Sequence, residues 1–198
     1  MVRRVVAALL VPVTWNPPGV ERAAWRTALA EDVVDLLARL AQADAAVATT
    51  AEDRKIAEEI AWPGMLIYEV PTATYLPVFA AAAADGFDQA AVIAADAADV
   101  PGMILGKLLR PLENKAVAVA SGGAGNGLLG VATSLPAPDW LRDHDLDTAT
   151  AQLLRRTAPN PGDVASTPEW RRLRGAAELA SLDPALEGWD NTRALLGG

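Results

Sequence analysis

The chain has 198 residues, 52% of them apolar, and a formal net charge of −8. That length is sufficient for one domain with a sizeable core, and the acidic balance argues against nucleic-acid binding. The chain contains no cysteine and a single histidine, His144, which excludes disulfides and thiolate sites and argues against Ser-His-Asp catalysis and multi-histidine metal sites.

Strand-like apolar runs alternate with helical runs through residue 121. We predict strands at residues 3–13, 44–50, 64–70, 89–96, 115–121 and 128–133, and helices at 21–41, 51–61, 72–86 and 101–113. This alternation is typical of an α/β fold, here a three-layer α/β/α sandwich with a mostly parallel sheet. The glycine-rich turn at 122–127 is too short for a helical crossover, so it predicts an antiparallel element.

The pattern changes after residue 134, where helical stretches at 147–157 and 175–182 flank a loop with several prolines. We expect a single domain spanning 1–198, in which residues 1–133 form the sheet core and 134–198 form a helical and loop extension packed on it. The apolar start of the chain lacks a signal-peptide cleavage site, and no apolar run reaches the roughly 18 residues of a membrane span. These features predict a cytoplasmic protein with no membrane partner.

Two aspartates follow the fourth predicted strand, in the sequence AVIAADAADVPG. Ligands of open α/β sheets collect at the carboxyl ends of the strands, and Asp96 stands at such an end without an obvious charge partner. Asp99 comes just before the next helix, where an aspartate commonly caps backbone N–H groups. The spacing leaves two interpretations open, namely ligand or metal binding at the sheet edge and an ordinary helix cap.

The glycine-rich turn after the fifth predicted strand carries further candidates: Ser121, Gly122, Gly123 and Asn126. Glycines allow a backbone to approach a ligand closely and to offer N–H groups to phosphate or sugar oxygens. The same residues are equally suited to a tight turn between two strands.

The first loop contains Trp15 and Gly19 and leads into a helix that begins with Arg22 and Arg26. A loop that enters a helix in this way is a common phosphate site, and Trp15 could stack on a nucleobase or sugar. Both arginines could instead be solvated or paired with neighbouring carboxylates.

The order of these segments resembles the nucleotide-diphospho-sugar transferase (GT-A) fold. Within it, the chain is most similar to small nucleotidyltransferase-like and glycosyltransferase-like proteins, such as the 2-phospholactate and molybdenum-cofactor guanylyltransferases. The resemblance rests on IAADAADVPGMILGKLL, residues 93–109, and SGGAGNGLLGV, residues 121–131. It implies that Asp96 and Asp99 bind Mg²⁺ or Mn²⁺, that loop 14–22 holds a nucleotide, and that turn 121–127 faces the acceptor.

The second acidic motif of that family, D-x-D-T, matches less well. By position it corresponds to WRRLRGAAELASL at 170–182, with Arg172 and Arg174 in place of the aspartates. A literal DLDT at 145–148 comes too early, and WDNT at 189–192 comes late. Arginines at this motif would either supply positive charge themselves or mark a protein that has lost catalysis.

Two functions of different classes stay open. One is a nucleotide-dependent transferase, metal-dependent if active, whose partner is a nucleotide or nucleotide-sugar. The other is a non-catalytic α/β protein of the same fold that binds a small ligand or a protein. A homodimer is a third option, which would require an apolar patch near the C-terminal tryptophans.

Overall fold

The computed structural model describes residues 2–123 and 125–197, and in that part of the chain seven strands form one sheet. They are β1 (Arg4–Leu9), β2 (Asp44–Thr49), β3 (Leu66–Glu69), β4 (Gln89–Ala94), β5 (Val117–Ser121), β6 (Leu128–Ser134) and β7 (Val164–Thr167). Their spatial order is β3-β2-β1-β4-β6-β5-β7. β6 runs antiparallel to both β4 and β5, whereas the other neighbouring pairs are parallel.

Helices cover both faces of the sheet. They are α1 (Arg22–Ala38), α2 (Arg54–Ile60), α3 (Tyr75–Ala84), α4 (Gly102–Leu109), α5 (Ala151–Thr157), α6 (Ala176–Ala180) and α7 (Asp190–Leu195). Buried side chains of α3 and α5 pack on one face, and those of α1, α2 and α4 pack on the other. Because parallel neighbours need long crossovers, the helices between strands supply these connections and build three layers.

The apolar character of the central strands follows from this layering. In β1, Val5, Ala7 and Leu9 face one helical layer, while Val6 and Ala8 face the other. Successive side chains of a strand point to opposite faces, so a strand covered on both sides must be apolar throughout. β4 is buried along its whole length in the same way.

The predicted alternation and the antiparallel element after turn 122–127 are confirmed. The helix predicted at 101–113 ends as an α-helix at Leu109 and continues as a 3₁₀ turn over Arg110–Glu113. β7 was not predicted, because its four residues lie in a segment with several prolines that reads as a loop. β7 pairs in parallel with β5 at the edge of the sheet, so residues after 134 contribute a strand as well as helices.

In the ranges that the structure covers, we find no helix with both the length and the apolar character required to cross a bilayer.

Candidate functional site

Asp96 and Asp99 follow the carboxyl end of β4, as the sequence predicts, and both are buried, at 2% and 3% exposure. The segment that approaches them is residues 170–174, which returns from the edge strand β7. Its backbone is fixed at two points, because Trp170 N–H donates to the Ser121 carbonyl at 3.1 Å and Leu173 N–H donates to the Asp96 carbonyl at 2.8 Å. The segment therefore bridges the ends of β5 and β4.

Arg172 is the central contact of this segment and is fully buried. Its Nε and Nη2 donate to the two carboxylate oxygens of Asp96 at 2.7 and 2.9 Å, and Nη2 also donates to Asp147 at 2.7 Å. Its Nη1 donates to the carbonyls of Asn126 and Leu128 at 3.1 and 3.3 Å. Since a guanidinium has five N–H donors, these five bonds use the whole capacity of the side chain.

Asp99 is held by the neighbouring residues of the same segment. Its two carboxylate oxygens accept from Trp170 Nε1 at 3.1 Å and from Arg171 Nε at 2.8 Å. The residue at the N-cap position of α4 is Pro101, so the helix-cap interpretation of Asp99 is wrong. The charge of Asp99 is balanced by Arg171 over a long sequence separation, which local spacing could not reveal.

Asp147 is the third carboxylate at this edge, and Arg174 also donates to it. Partial burial of Asp147 opposes its ionisation, but the two arginines outweigh burial and hold the pKa of the carboxyl below its usual value. Burial likewise opposes the charge of Arg172, but Asp96 and Asp147 outweigh it and raise the pKa of the guanidinium above its usual value. Both groups are therefore charged at neutral pH.

These six side chains form what we call the arginine–aspartate cluster: Asp96, Asp99, Asp147, Arg171, Arg172 and Arg174. Three negative and three positive formal charges cancel. Burial of such ions is tolerated only when each is paired and hydrogen-bonded, which the bonds above provide. The cluster is thus electrically neutral and joins the end of β4 to two separate C-terminal segments.

The glycine-rich turn is shaped by this cluster. A Cβ on Gly122 would lie 2.9 Å from the Cδ atom of Arg172, and one on Gly127 would lie 2.1 Å from the carbonyl oxygen of Leu146, next to Asp147. Gly127 also has a φ of +66°, which favours glycine. A Cβ on Gly122 would also lie 2.7 Å from the Asn126 carbonyl oxygen, so nearby backbone as well as the Arg172 side chain leaves no space for a Cβ at these two glycines. Ser121 Oγ accepts from Gly123 N–H, and Asn126 Nδ2 donates to Glu178 at 3.3 Å.

The predicted phosphate residues of the first loop and the start of α1 make their polar contacts away from the arginine–aspartate cluster. Arg26 donates to both carboxylate oxygens of Asp53 at 2.7 and 2.6 Å, and Arg22 Nε donates to Asn16 at 3.2 Å. Trp15 packs edge-on against the buried Trp25, with ring centroids 6.0 Å apart, and Gly19 is exposed at a φ of +80°. No hydrogen bond or ion pair links these four predicted phosphate residues to the arginine–aspartate cluster within the described ranges.

The C-terminal segment packs over this first loop. An apolar cluster contains Trp25 and Ala98, the latter between the two aspartates, together with Leu173 and Trp189. Trp15 belongs to the partly buried residues around it. The loop is therefore connected to the β4 end through apolar contacts rather than through polar ones.

A divalent ion at Asp96 and Asp99 remains a prediction, and the contacts argue against a fit. All four carboxylate oxygens of these residues accept bonds from Trp170, Arg171 or Arg172. Among the residues that the structure describes, no three Asp, Glu, His or Cys side chains are placed to share a metal ion. Mg²⁺ and Mn²⁺ require oxygen ligands with free lone pairs and space for coordinated water. At this edge both carboxylates are already ion-paired with arginines, so a divalent ion would have to displace those pairs.

A cavity of about 390 Å³ opens beside the cluster. Its lining includes Gly123, Glu169, Trp170, Arg171, Glu178 and Ser181. This volume falls in the lower part of the roughly 300–1,000 Å³ that small-molecule pockets occupy. It is the opening through which a ligand could approach Arg171 and the glycine-rich turn.

Sequence reasoning identified Asp96, Asp99, Arg172 and Arg174 but did not connect them. It also set aside Asp147 as too early in the chain. The DLDT motif containing Asp147 was the available signal, since it matches the expected second acidic motif literally. The two candidate segments for the second acidic motif, 145–148 and 170–182, meet in the structure, because Arg172 and Arg174 both form ion pairs with Asp147.

No family model matches the chain, and no curated protein matches it in sequence. Solved structures are similar to it in fold. A protein of Desulfovibrio desulfuricans G20 assigned to the nucleotide-diphospho-sugar transferases has 16% identity and a TM-score of 0.65, covering 100% of this chain and 98% of that one. The 4-diphosphocytidyl-2C-methyl-D-erythritol synthase of Anaerococcus prevotii has 8% identity and a TM-score of 0.61, covering 98% and 96%.

A third similar structure is the glucosyl-3-phosphoglycerate synthase of Mycobacterium tuberculosis, solved with Mn²⁺, uridine diphosphate and phosphoglyceric acid. It has 15% identity and a TM-score of 0.56, covering 98% of this chain and 77% of that one. Identities at this level establish the fold and leave the activity to be argued from the site. The chain has the nucleotide-diphospho-sugar transferase fold.

Proposed function

We propose that this protein is a nucleotide-dependent transferase of nucleotidyl or glycosyl groups, acting at the sheet edge where β4 ends. The observation that carries the proposal is the arginine–aspartate cluster, which three separate parts of the chain bring to that edge. In open α/β sheets the carboxyl ends of the strands are where ligands bind. Support also comes from the fold, which is shared over almost the whole chain with structures of nucleotide-using enzymes.

Arg174 is an arginine of the cluster that is suited to a donor phosphate. Its side chain is 16% exposed, whereas that of Arg172 is fully buried. Within the described residues its one hydrogen bond is from Nη1 to Asp147, which leaves further N–H groups for an anion. Guanidinium groups recognise phosphate through paired N–H donors, so Arg174 can hold a diphosphate without a metal ion.

The cavity beside turn 121–127 is the proposed acceptor site. Trp170 offers an aromatic wall, and Glu178 and Ser181 offer polar groups that suit a hydroxylated acceptor. In the reaction an acceptor oxygen forms a bond to the transferred phosphorus or sugar carbon. A phosphate oxygen of the donor takes the electrons of the broken bond, and the acceptor proton passes to solvent. Arg174 would stabilise the negative charge that develops on the leaving phosphate.

A thermal-shift series tests this proposal. The protein is melted with ATP, CTP, GTP, UTP and UDP- and GDP-sugars, each in EDTA and in Mn²⁺. A bound ligand at 100 times its Kd should stabilise the fold by about 2.7 kcal/mol. We expect one nucleotide class to raise the melting temperature in EDTA. The shift should be lost in Arg174→Gln and kept in Arg110→Gln, which changes an exposed arginine on the 3₁₀ turn after α4.

A panel without any shift in either condition would contradict the proposal. A shift without turnover of any acceptor would instead indicate a binding protein of the same fold. An assay of product formation from the stabilising nucleotide distinguishes a transferase from a binding protein. The release of nucleoside phosphate or pyrophosphate is the measured signal.

A further inference from the structure

The strongest feature outside the proposed reaction is the position of Arg172 between two carboxylates. The guanidinium binds both oxygens of Asp96 and one oxygen of Asp147, at 2.7 to 2.9 Å. These residues lie 76 and 25 positions away from Arg172 in the chain. Two acidic side chains from separate segments thus converge on a single positive centre.

Divalent cations in proteins are commonly held by converging carboxylates of this kind. We infer that Arg172 takes the place of a divalent cation between Asp96 and Asp147, so that the protein carries the cation of this site in its own chain. This inference goes beyond the proposed function and does not depend on it, because it concerns the cation site whether or not a nucleotide binds.

The burial and the hydrogen bonds of Arg172 leave no place for a metal ion beside it. Arg172 has no exposed surface, and its remaining donors are bonded to the carbonyls of Asn126 and Leu128. A metal ion entering the site would have to displace charge-assisted bonds to Asp96 and remain close to the guanidinium. Like charges at such a distance repel strongly where water is excluded.

The glycine-rich turn and a second arginine enclose the same place. A Cβ at Gly122 would lie 2.7 Å from the Asn126 carbonyl oxygen and 2.9 Å from Arg172 Cδ, so the turn packs closely on itself and on the arginine side chain. Arg174 lies on the outer side, with its Nε 3.9 Å from Asp96, and adds a second positive charge to the same carboxylate pair. The negative charges of Asp96 and Asp147 are therefore already balanced by two arginines, without a metal ion.

Manganese binding without nucleotide tests the inference. Free Mn²⁺ is followed by electron paramagnetic resonance, and the melting temperature is measured in Mn²⁺ and in EDTA. We expect the wild-type protein to hold no stoichiometric Mn²⁺ and to melt at the same temperature in both buffers. Arg172→Ala should melt at a much lower temperature in EDTA, regain part of that loss in Mn²⁺, and bind one ion more tightly than wild type by at least about one order of magnitude.

The matched controls are a double variant and a charge-preserving one. Arg172→Ala combined with Asp96→Asn should lose the new Mn²⁺ site, which ties that site to the carboxylate. Arg172→Lys keeps a positive charge with three donors instead of five, and it should fold less stably yet stay indifferent to Mn²⁺.

Two results would overturn the inference. One is a stoichiometric Mn²⁺ site in the wild-type protein that disappears in Asp96→Asn. The other is a folded Arg172→Ala that gains no Mn²⁺. If Arg172→Ala does not fold in either buffer, the wild-type titration and Arg172→Lys decide the question, since a metal response in either contradicts a built-in cation and indifference in both supports it.

Discussion

Gly127 shows how a single residue is constrained by the arginine–aspartate cluster. Its backbone has a φ of +66°, and a Cβ there would lie 2.1 Å from the Leu146 carbonyl oxygen and 2.6 Å from that of Asp147. Gly123 in the same turn has a similar φ of +73°, but a Cβ there would meet no described atom within 4 Å. The two glycines thus share a backbone conformation and differ in crowding.

This difference predicts the outcome of two matched substitutions. Gly123→Ala should cost roughly 1–2 kcal/mol, because only the left-handed backbone is penalised. Gly127→Ala should cost clearly more, about 3 kcal/mol or above, because the backbone of residues 146–147 must also move. Chemical denaturation of both variants gives the comparison. Equal losses of unfolding free energy would show that Asp147 is not held against the turn.

Asp147 predicts a pH dependence whose sign follows from its shifted pKa. Burial opposes its charge, but Arg174 and Arg172 lower the pKa of the folded state below the usual 3.8. The stabilisation is therefore fully present above that usual value and is lost as the pH falls through the lower, folded-state pKa.

Asp147→Asn should consequently lower the melting temperature at pH 7, with a cost of about 1–3 kcal/mol for the lost bonds to charged donors. The difference from wild type should shrink as the pH falls below the usual pKa of 3.8 and vanish once the pH is below the lowered folded-state pKa. Melting curves from pH 2.5 to 7 provide the measurement, with Asp139→Asn as an exposed control. A difference that is constant over this range would show that the carboxylate charge does not contribute.

Among the secondary-structure elements, α7 is one that depends on its surroundings. A helix of six residues is too short to be stable alone. Its start is held by Asp32, which accepts from the N–H groups of Asn191 and Thr192 at 2.9 Å, and Trp189 packs beside Trp25. In the described ranges, Trp25 Nε1, Trp189 Nε1, Thr192 Oγ1 and Arg193 Nε are buried without a hydrogen-bond partner. Such atoms reduce the stability that apolar contact provides.

Trp189→Ala should therefore release α7 without unfolding the sheet. Replacing a buried tryptophan by alanine removes about 3–5 kcal/mol of packing, but a terminal segment can open locally. Hydrogen exchange should speed up over residues 176–197 while amides of β4 keep their protection. Trp140→Ala, at a partly buried tryptophan that packs on the other helical layer, is the control. Unchanged exchange in Trp189→Ala would show that α7 is held by other contacts.

The elements also show what the sequence could and could not predict. Long apolar strands and the helices between them were predicted correctly, because their patterns are local and repeated. β7 was missed, since a four-residue edge strand among prolines has no periodic pattern. The partners of Asp96 and Asp99 were missed for a different reason. Their arginines lie more than 70 positions away, and pairing at that distance depends on the fold.

At the scale of the whole molecule, the formal charge of −8 is not located in the arginine–aspartate cluster, whose charges cancel. The excess negative charge therefore belongs to the rest of the protein. An anionic nucleotide approaching this surface is repelled at long range, and salt screens that repulsion over a Debye length of roughly 10 Å at 0.1 M.

The association rate of a nucleotide should consequently rise when salt is increased from about 10 mM to about 150 mM, across which the Debye length falls from roughly 30 to 8 Å. Stopped-flow tryptophan fluorescence with the nucleotide identified by thermal shift measures it. Proteins with a strongly positive phosphate site show the reverse dependence. A rate that falls steeply with salt would indicate that local positive charge dominates the encounter.

All five N–H donors of Arg172 are hydrogen-bonded, so the positive charge at this sheet edge does not come from a bound metal ion. Affinity of ordinary carboxylate sites follows the intrinsic order of the divalent metals, so such sites can take up the wrong ion when supply changes. The guanidinium of Arg172 is a covalent part of the chain, so it cannot be exchanged for another ion or removed by a chelator. The electrostatics of this sheet edge are therefore set when the chain folds and stay independent of metal supply.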